Sequence, residues 1–347
     1  MVLCLKIKKE KTQEAKKFLV KNKLLNTIYV IGKSGKYSFL VLNEGFNKSK
    51  LITKFNGSIE ERNIPKVKWK GVMNLKEALK AIIPADKAEH MNRGFESIGD
   101  IAIFEVPDEL VPLEKSIAWT LKRIKKNINI VAKKNNKTSG KYRIRKVKVL
   151  VGENRTETIH KESNVKLKTD LNKAYFSPRM SSERLRILKL IKKKENILVL
   201  FAGVGPYPIV FAKHRSDINI TAIEWNPAAI RYFKENLNLN NLDKRITLIG
   251  GDVHVEVPKL KTKFDRIIMV LPSGAHDFLK EALSVAKKGA TIHLYQFEHE
   301  DKVDQRANEI KQLVEKLGYK IKSIKGIRSG YYSPKINRYS YDIVLST

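Results

Sequence analysis

The sequence predicts an α/β protein: a Rossmann-like parallel sheet in the C-terminal half, preceded by small α+β units. Three observations carry that prediction. An apolar run, Ile197-Leu198-Val199-Leu200-Phe201, breaks into Ala202-Gly203-Val204-Gly205-Pro206 and then into a stretch able to start a helix. A second strand-like run over residues 218–223 ends in Glu224, with Asn226-Pro227 next as helix cap and first helical residue. Two further strand-like runs, 246–249 and 264–270, end at Gly250-Gly251-Asp252-Val253 and at Leu271-Pro272.

Two glycines one residue apart permit a tight turn and let a ligand approach the backbone. Alone, they are weak evidence, since a tight strand-to-helix turn with no ligand also uses them. Glu224 lies about twenty residues further on, where nucleotide-binding sheets place a carboxylate on the ribose. Glycines, Glu224 and Asp252 at successive strand ends define one crevice at the carboxyl edge of a parallel sheet.

The length of 347 residues suits two or three domains, and 42% hydrophobic residues suffice for real cores. No apolar run approaches the roughly eighteen residues of a membrane span. The opening MVLCLKIKKEK has too short an apolar part for a secretory signal. A lone Cys4 excludes an internal disulfide and fits a reducing cytoplasm, where we expect the protein. The 7 histidines are scattered, so no metal is expected. The net charge is +33, from 69 Lys+Arg against 36 Asp+Glu, which points to a polyanion. A thermal or halophilic bias would raise acids beside the lysines, and here they lag.

Along the chain, residues 2–7 alternate like a strand and 12–25 have a helical apolar stripe. Residues 28–31 and 37–42 read as strands around the turn Gly32-Lys33-Ser34-Gly35, which lacks the frame of a phosphate loop. Residues 58–72, polar and basic, read as a linker. A helix is expected over 75–83, two strand pieces around Gly99 over 95–106, a helix over 113–127 and a polar loop over 132–140. Residues 142–151 alternate Arg143, Arg145, Lys146 and Lys148 with Ile144, Val147 and Val149. That pattern fits a strand facing a phosphate backbone and, equally, a solvated basic face. A hairpin follows over 156–171, then a turn over 175–179 and a helix from about Glu183, capped by Ser181 or Ser182. Helices over 228–239, 275–286 and 303–317 alternate with strands over 290–296, 319–324 and 338–345.

The strings FAGVGP, AIEWNPAAIRYFKENLNLNNL, GDV and DRIIMVLPSGAHDFL resemble the S-adenosylmethionine domain of the archaeal and eukaryotic tRNA (guanine-37-N1)-methyltransferases. GENRTETIHKE and AYFSPRMSSERLRIL resemble the segment joining that domain to an RNA-binding one. The likeness runs from about residue 83 to the C-terminus and is looser over the first sixty residues. It implies a class I methyltransferase domain over 171–347, a middle RNA-binding domain over 61–170 and a small tRNA-contacting domain over 1–60. It implies S-adenosylmethionine as cofactor and tRNA as partner, with a monomeric chain and no membrane or metal.

The resemblance also implies site residues. Guanine N1 carries a proton, and as it leaves, negative charge builds on O6. The chemistry therefore wants a carboxylate near N1 and a cation near O6. By motif these are Glu183, of SSER, and Arg143, of YRIRK. The implied cofactor set is Tyr175, Arg179, Arg184, Phe201, Gly203, Gly205, Glu224, Trp225, Asp252, Val253, Val270 and Pro272. The implied RNA contacts are Arg143, Arg145, Lys146 and Lys148. The sequence departs from the family at Val199, usually acidic, at Val270, usually asparagine, and at Trp225, usually smaller. Alternatives left open are methylation of carbon 7 of a tricyclic guanosine derivative, aminocarboxypropyl transfer, and tRNA binding without catalysis.

Overall fold

The computed structural model describes residues 1–22, 24–26, 29–66, 78–79, 95–135, 142, 144, 146–271 and 274–347. The chain divides into two compact units. The first comprises Met1–Asn136 and Val147–Thr156; the second comprises Lys137–Lys146 and Glu157–Thr347.

The first unit holds two four-stranded sheets. One is antiparallel, in the order β2-β3-β1-β4, from β1 (Val2–Lys8), β2 (Gly32–Ser34), β3 (Tyr37–Val41) and β4 (Ser58–Arg62). Its helices are α1 (Thr12–Lys21) and α2 (Lys48–Phe55). The other is β5 (Glu96–Ile98), β6 (Ile101–Phe104), β7 (Ile130–Lys134) and β8 (Val147–Val151), with α3 (Glu114–Ile124) between β6 and β7. One apolar core joins Leu5, Leu19, Leu40 and Phe55 to Phe104, Leu121 and Val151. The expected boundary near residue 60 therefore does not divide a core.

Several expectations are corrected here. The stretch expected to link domains begins with β4, because Ile59 and its neighbours pair with β1. Residues 132–134, expected in a loop, complete β7. Of the alternating run 142–151, the described strand is β8, Val147–Val151, while Arg143 and Arg145 lie outside the described residues. Helix α2 was not anticipated, although Asn47 caps it by accepting from the Lys50 N–H. Of the expected strand 28–31, Ile28 lies outside the described residues and Tyr29 makes an isolated bridge to Lys66, while β2 forms on residues expected in the turn over 32–35. Of the expected helix 75–83 only 78 and 79 lie among the described residues.

In the second unit, a hairpin of β9 (Glu157–Glu162) and β10 (Val165–Asp170) leads into α4 (Ser181–Leu190). A seven-stranded sheet follows, in the order β13-β12-β11-β14-β15-β17-β16. Its strands are β11 (Asn196–Leu200), β12 (Asn219–Glu224), β13 (Ile246–Gly250), β14 (Phe264–Met269), β15 (Ala286–His299), β16 (Ile321–Ser333) and β17 (Ile336–Leu345). The first five are mutually parallel, and β17 runs antiparallel to both its neighbours, β15 and β16. Helices α5 (Pro206–His214), α6 (Pro227–Asn240), α7 (Val253–Glu256), α8 (Leu279–Ser284) and α9 (Val303–Lys316) connect them. The strand order reverses beside β11, which opens a crevice outside the carboxyl ends.

The hairpin belongs to this unit, not with the residues before it. Asn236 accepts from the Lys168 N–H at 2.6 Å and donates to its carbonyl at 3.0 Å. Asn240 does the same for Lys166, at 2.9 and 2.7 Å. These asparagines, four apart on α6, pair β10 as a strand would.

Candidate active site

Strand β11 stops because three residues take left-handed backbone: Phe201 at φ 60°, Gly203 at φ 59° and Gly205 at φ 87°. The two glycines are needed for different reasons. A Cβ on Gly205 would lie 2.5 Å from the Phe233 ring, so packing of α6 demands its absence. Among the described residues, a Cβ on Gly203 would meet only the Tyr175 carbonyl, at 3.6 Å, so they leave the space above it open. Pro206 then starts α5, whose first N–H groups face the turn.

Glu224 closes the turn from below. Its Oε2 accepts from the Gly203 N–H and its Oε1 from the Asn226 N–H, both at 2.7 Å. Burial pushes its carboxyl pKa up, while the N–H groups of Asn226, Gly203 and Trp225 pull it down. Asp252 caps α7 through Oδ1, which accepts from the His254 N–H at 2.9 Å. Phe201 packs edge-on against Phe278, 4.8 Å between centroids, and the His254 ring stacks on Phe278 at 4.3 Å. Val253 is buried, and Val270, half-buried, donates its N–H to Leu200. Pro272 lies outside the described residues.

Tyr175, Arg179 and Trp225 are exposed. The Trp225 ring meets the Tyr142 ring edge-on at 6.1 Å. Arg143 and Arg145 lie outside the described residues. Lys146 is exposed and falls in the second unit, whereas Lys148 is exposed on β8 of the first. The expected single basic strand face is thus split.

Glu183 and Arg184, adjacent in α4, are both buried but do different work. Arg184 clasps Glu162 of the hairpin, with Nε and Nη2 each at 2.6 Å. Its guanidinium ties α4 to β9, which is the role its hydrogen bonds give it. Glu183 receives Arg186 through Nε at 2.7 Å and Nη2 at 2.8 Å, and the Tyr295 hydroxyl at 2.7 Å. Tyr295 in turn accepts from the Tyr207 hydroxyl at 3.1 Å, one residue past Pro206. Arg186 also reaches Asp342 at 2.7 and 3.2 Å. Asp342 accepts from His293, whose other nitrogen accepts from Arg266, and Arg266 pairs with Glu195. Burial lowers the His293 pKa and keeps the ring neutral.

The profile of the TRM5/TYW2 methyltransferase domain matches residues 158–322, and that of the TYW2 N-terminal domain matches 75–156. The Pyrococcus abyssi tRNA (guanine(37)-N(1))-methyltransferase Trm5b is 31% identical over 347 residues, covering 100% of each chain. The chain belongs to the TRM5/TYW2 methyltransferase family. Among solved structures, the complex of aTrm5 and tRNALeu aligns with TM-score 0.67 at 29% identity, covering 99% of this chain and 100% of that one. Methanocaldococcus jannaschii TYW2 in complex with AdoMet aligns with TM-score 0.56 at 26% identity, covering 73% of this chain and 99% of its own.

The family's usual acidic position, Val199 here, is fully buried within β11 between Ala222 and Ile268 of the neighbouring strands. A TRM5/TYW2 crevice built this way takes its acids from β12 and α7. Sequence reasoning missed Tyr295, Arg186, His254 and Phe278. Only Arg186 left a signal, since it stands three residues after Glu183, one helical turn on.

Proposed function

We propose that this chain transfers the methyl group of S-adenosylmethionine to N1 of guanosine 37 of tRNA, beside the anticodon. The observation that carries the reading is colinearity. The P. abyssi N1-methyltransferase matches 100% of each chain. The M. jannaschii TYW2 structure, 99% aligned, reaches only 73% of this one.

The residues present fit that cofactor. Among the described residues no side chain fills the space beside Gly203, and the Glu224 carboxylate, with about four lone-pair sites, keeps acceptor capacity for a ribose hydroxyl. Asp252, Val253, Phe201 and Trp225 stand at the same strand ends. Tyr175 flanks Gly203 through its carbonyl. The cofactor would supply an electrophilic methyl group with its own leaving group.

The chain's residues must free the N1 lone pair. In this proposal Glu183 takes the N1 proton. Protonating a carboxylate that faces an arginine would ordinarily strand the cation. Arg186 avoids that, because it stays paired with Asp342 when Glu183 is neutralised. Tyr295 fixes Oε1. Arg143, which follows Tyr142 in the chain, is the proposed cation at O6. Tyr142 meets Trp225, the residue after Glu224, which supports that assignment.

The test is nucleoside mass spectrometry of tRNA incubated with the protein and labelled S-adenosylmethionine. One added methyl on N1 of guanosine 37 is expected, and unmodified guanosine 37 overturns the reading. The apolar Val270, where the family prefers asparagine, favours one second substrate. A tRNA carrying a tricyclic base at position 37 belongs in the same assay, and activity on it alone would move the target to carbon 7.

A further inference from the structure

Strand β14 ends at Met269, paired with Leu294. Strand β15 runs on for five residues, Tyr295 to His299, still paired with β17 through Ile336. At about 3.3 Å per residue this is a shelf of about 17 Å projecting past the crevice edge. One face of it carries a continuous row of side chains. Tyr295 holds Glu183. Phe297 and Arg338 lie opposite each other, with the guanidinium 5.7 Å from the ring. Tyr332 completes the row, its ring 4.2 Å from Phe297, and is 48% exposed.

Arg338 is the anomaly. It is 5% exposed, and among the described residues no carboxylate lies within ion-pair distance of it. Its Nε has no hydrogen-bond partner. Phe297, Gly330 and Met180 lie beside its guanidinium, and none of them is an anion. A buried, uncompensated cation is costly and calls for an anion that arrives with a ligand. Aromatic rings beside such a cation are how single-stranded nucleic acid is held: bases stack and phosphates take the charge.

We propose that this shelf seats the unpaired nucleotide adjoining the methylated one. Its base stacks on Tyr332, backed by Phe297, and its phosphate takes Arg338. The proposal deepens the tRNA reading above and rests on it. The row runs from Glu183 outwards, so the base that reaches the proposed proton acceptor and its stacked neighbour would lie along one sheet face. Tyr331, also exposed, is paired with Asn337 and points to the opposite face, so it takes no part.

The probe is a hairpin RNA bearing a tRNA anticodon loop, with a blunt duplex of the same stem as comparison. Binding is measured without turnover, and S-adenosylmethionine affinity reports that each variant is folded. Tyr332→Ala should weaken hairpin binding about tenfold, the fold-change of one lost base stack, and leave duplex binding unchanged. Tyr332→Phe should restore it, and Tyr331→Ala should bind as wild type. Arg338→Met should lower the slope of log affinity against log salt by about one phosphate. A purely structural Arg338 would change the melting temperature and leave that slope alone, which overturns its role. Wild-type hairpin affinity in Tyr332→Ala overturns the shelf. If wild-type protein fails to methylate tRNA while Tyr332→Ala still loses hairpin binding, the function reading falls and the shelf stands.

Discussion

Replacing Glu224 by glutamine separates two jobs the structure gives one carboxylate. Its oxygens accept from Gly203 and Asn226, both at 2.7 Å, and so hold the glycine turn. Their remaining acceptor capacity is what we assign to the ribose. Glutamine has one acceptor oxygen, and its amide would set a donor against one of these N–H groups whichever way it turns. One unsatisfied buried N–H costs about 1–3 kcal/mol of fold stability. That cost is carried by free and bound protein alike and does not weaken binding. Affinity falls instead by the lost charged acceptor, about 1.5–3 kcal/mol. This corresponds to S-adenosylmethionine binding weakened about 10- to 150-fold. Calorimetric titration measures the affinity and a ligand-free melt measures the turn. A lower melting temperature with unchanged affinity would refute the ribose assignment. The reverse pattern would show that the backbone bonds contribute little.

The two glycines should fail differently. Gly205→Ala puts a Cβ 2.5 Å from the Phe233 ring at φ 87°, so the fold itself should lose about 2–5 kcal/mol in a melting experiment. Gly203→Ala carries only the left-handed strain, about 1–2 kcal/mol, yet should weaken cofactor binding because its Cβ enters the open side of the turn. Glu183→Gln should slow single-turnover methylation by about 10²- to 10⁴-fold with tRNA affinity kept; a wild-type rate would remove the proton-acceptor role. On acidification, the unfolded chain protonates His293 near its usual pKa of about 6.5, while the folded ring, its pKa depressed by burial, stays neutral. Stability should therefore fall as pH drops through about 6.5, and a melting-temperature profile should be flatter in His293→Gln. Asp342, held below the usual carboxylate range by His293, Arg186 and Ser340 although burial opposes this, adds a second loss at more acid pH. A fragment starting at Glu157 should keep its cofactor affinity by calorimetry. Deleting residues 1–60, by contrast, cuts through the core around Leu5, Leu19 and Leu40, and the remainder of that unit should lose its cooperative melt.

Local pattern was enough for the nucleotide-binding half. Apolar runs ending in Gly-x-Gly, Glu224 and Asp252 are strand ends wherever the chain folds, because burial on both faces selects continuous apolar strands. The proline and asparagine that start α6 act on their own neighbours. The parallel order beside β11 follows from short right-handed crossovers. What pattern could not supply depends on partners far along the chain. Charged β4 is a strand because β1 offers it an edge. The hairpin belongs with the C-terminal unit because of two asparagines about seventy residues away. Arg184 reads as a ligand contact beside Glu183, and only packing turns it onto Glu162. Glu183 looked like a lone acid in a first helical turn. Its tie to Arg186 and Asp342, its hydrogen bond from Tyr295, and the shelf that begins at Tyr295 exist only once β15 and β17 pair behind α4. Side-chain chemistry and local spacing are written in the sequence; which charge meets which is decided by long-range strand pairing.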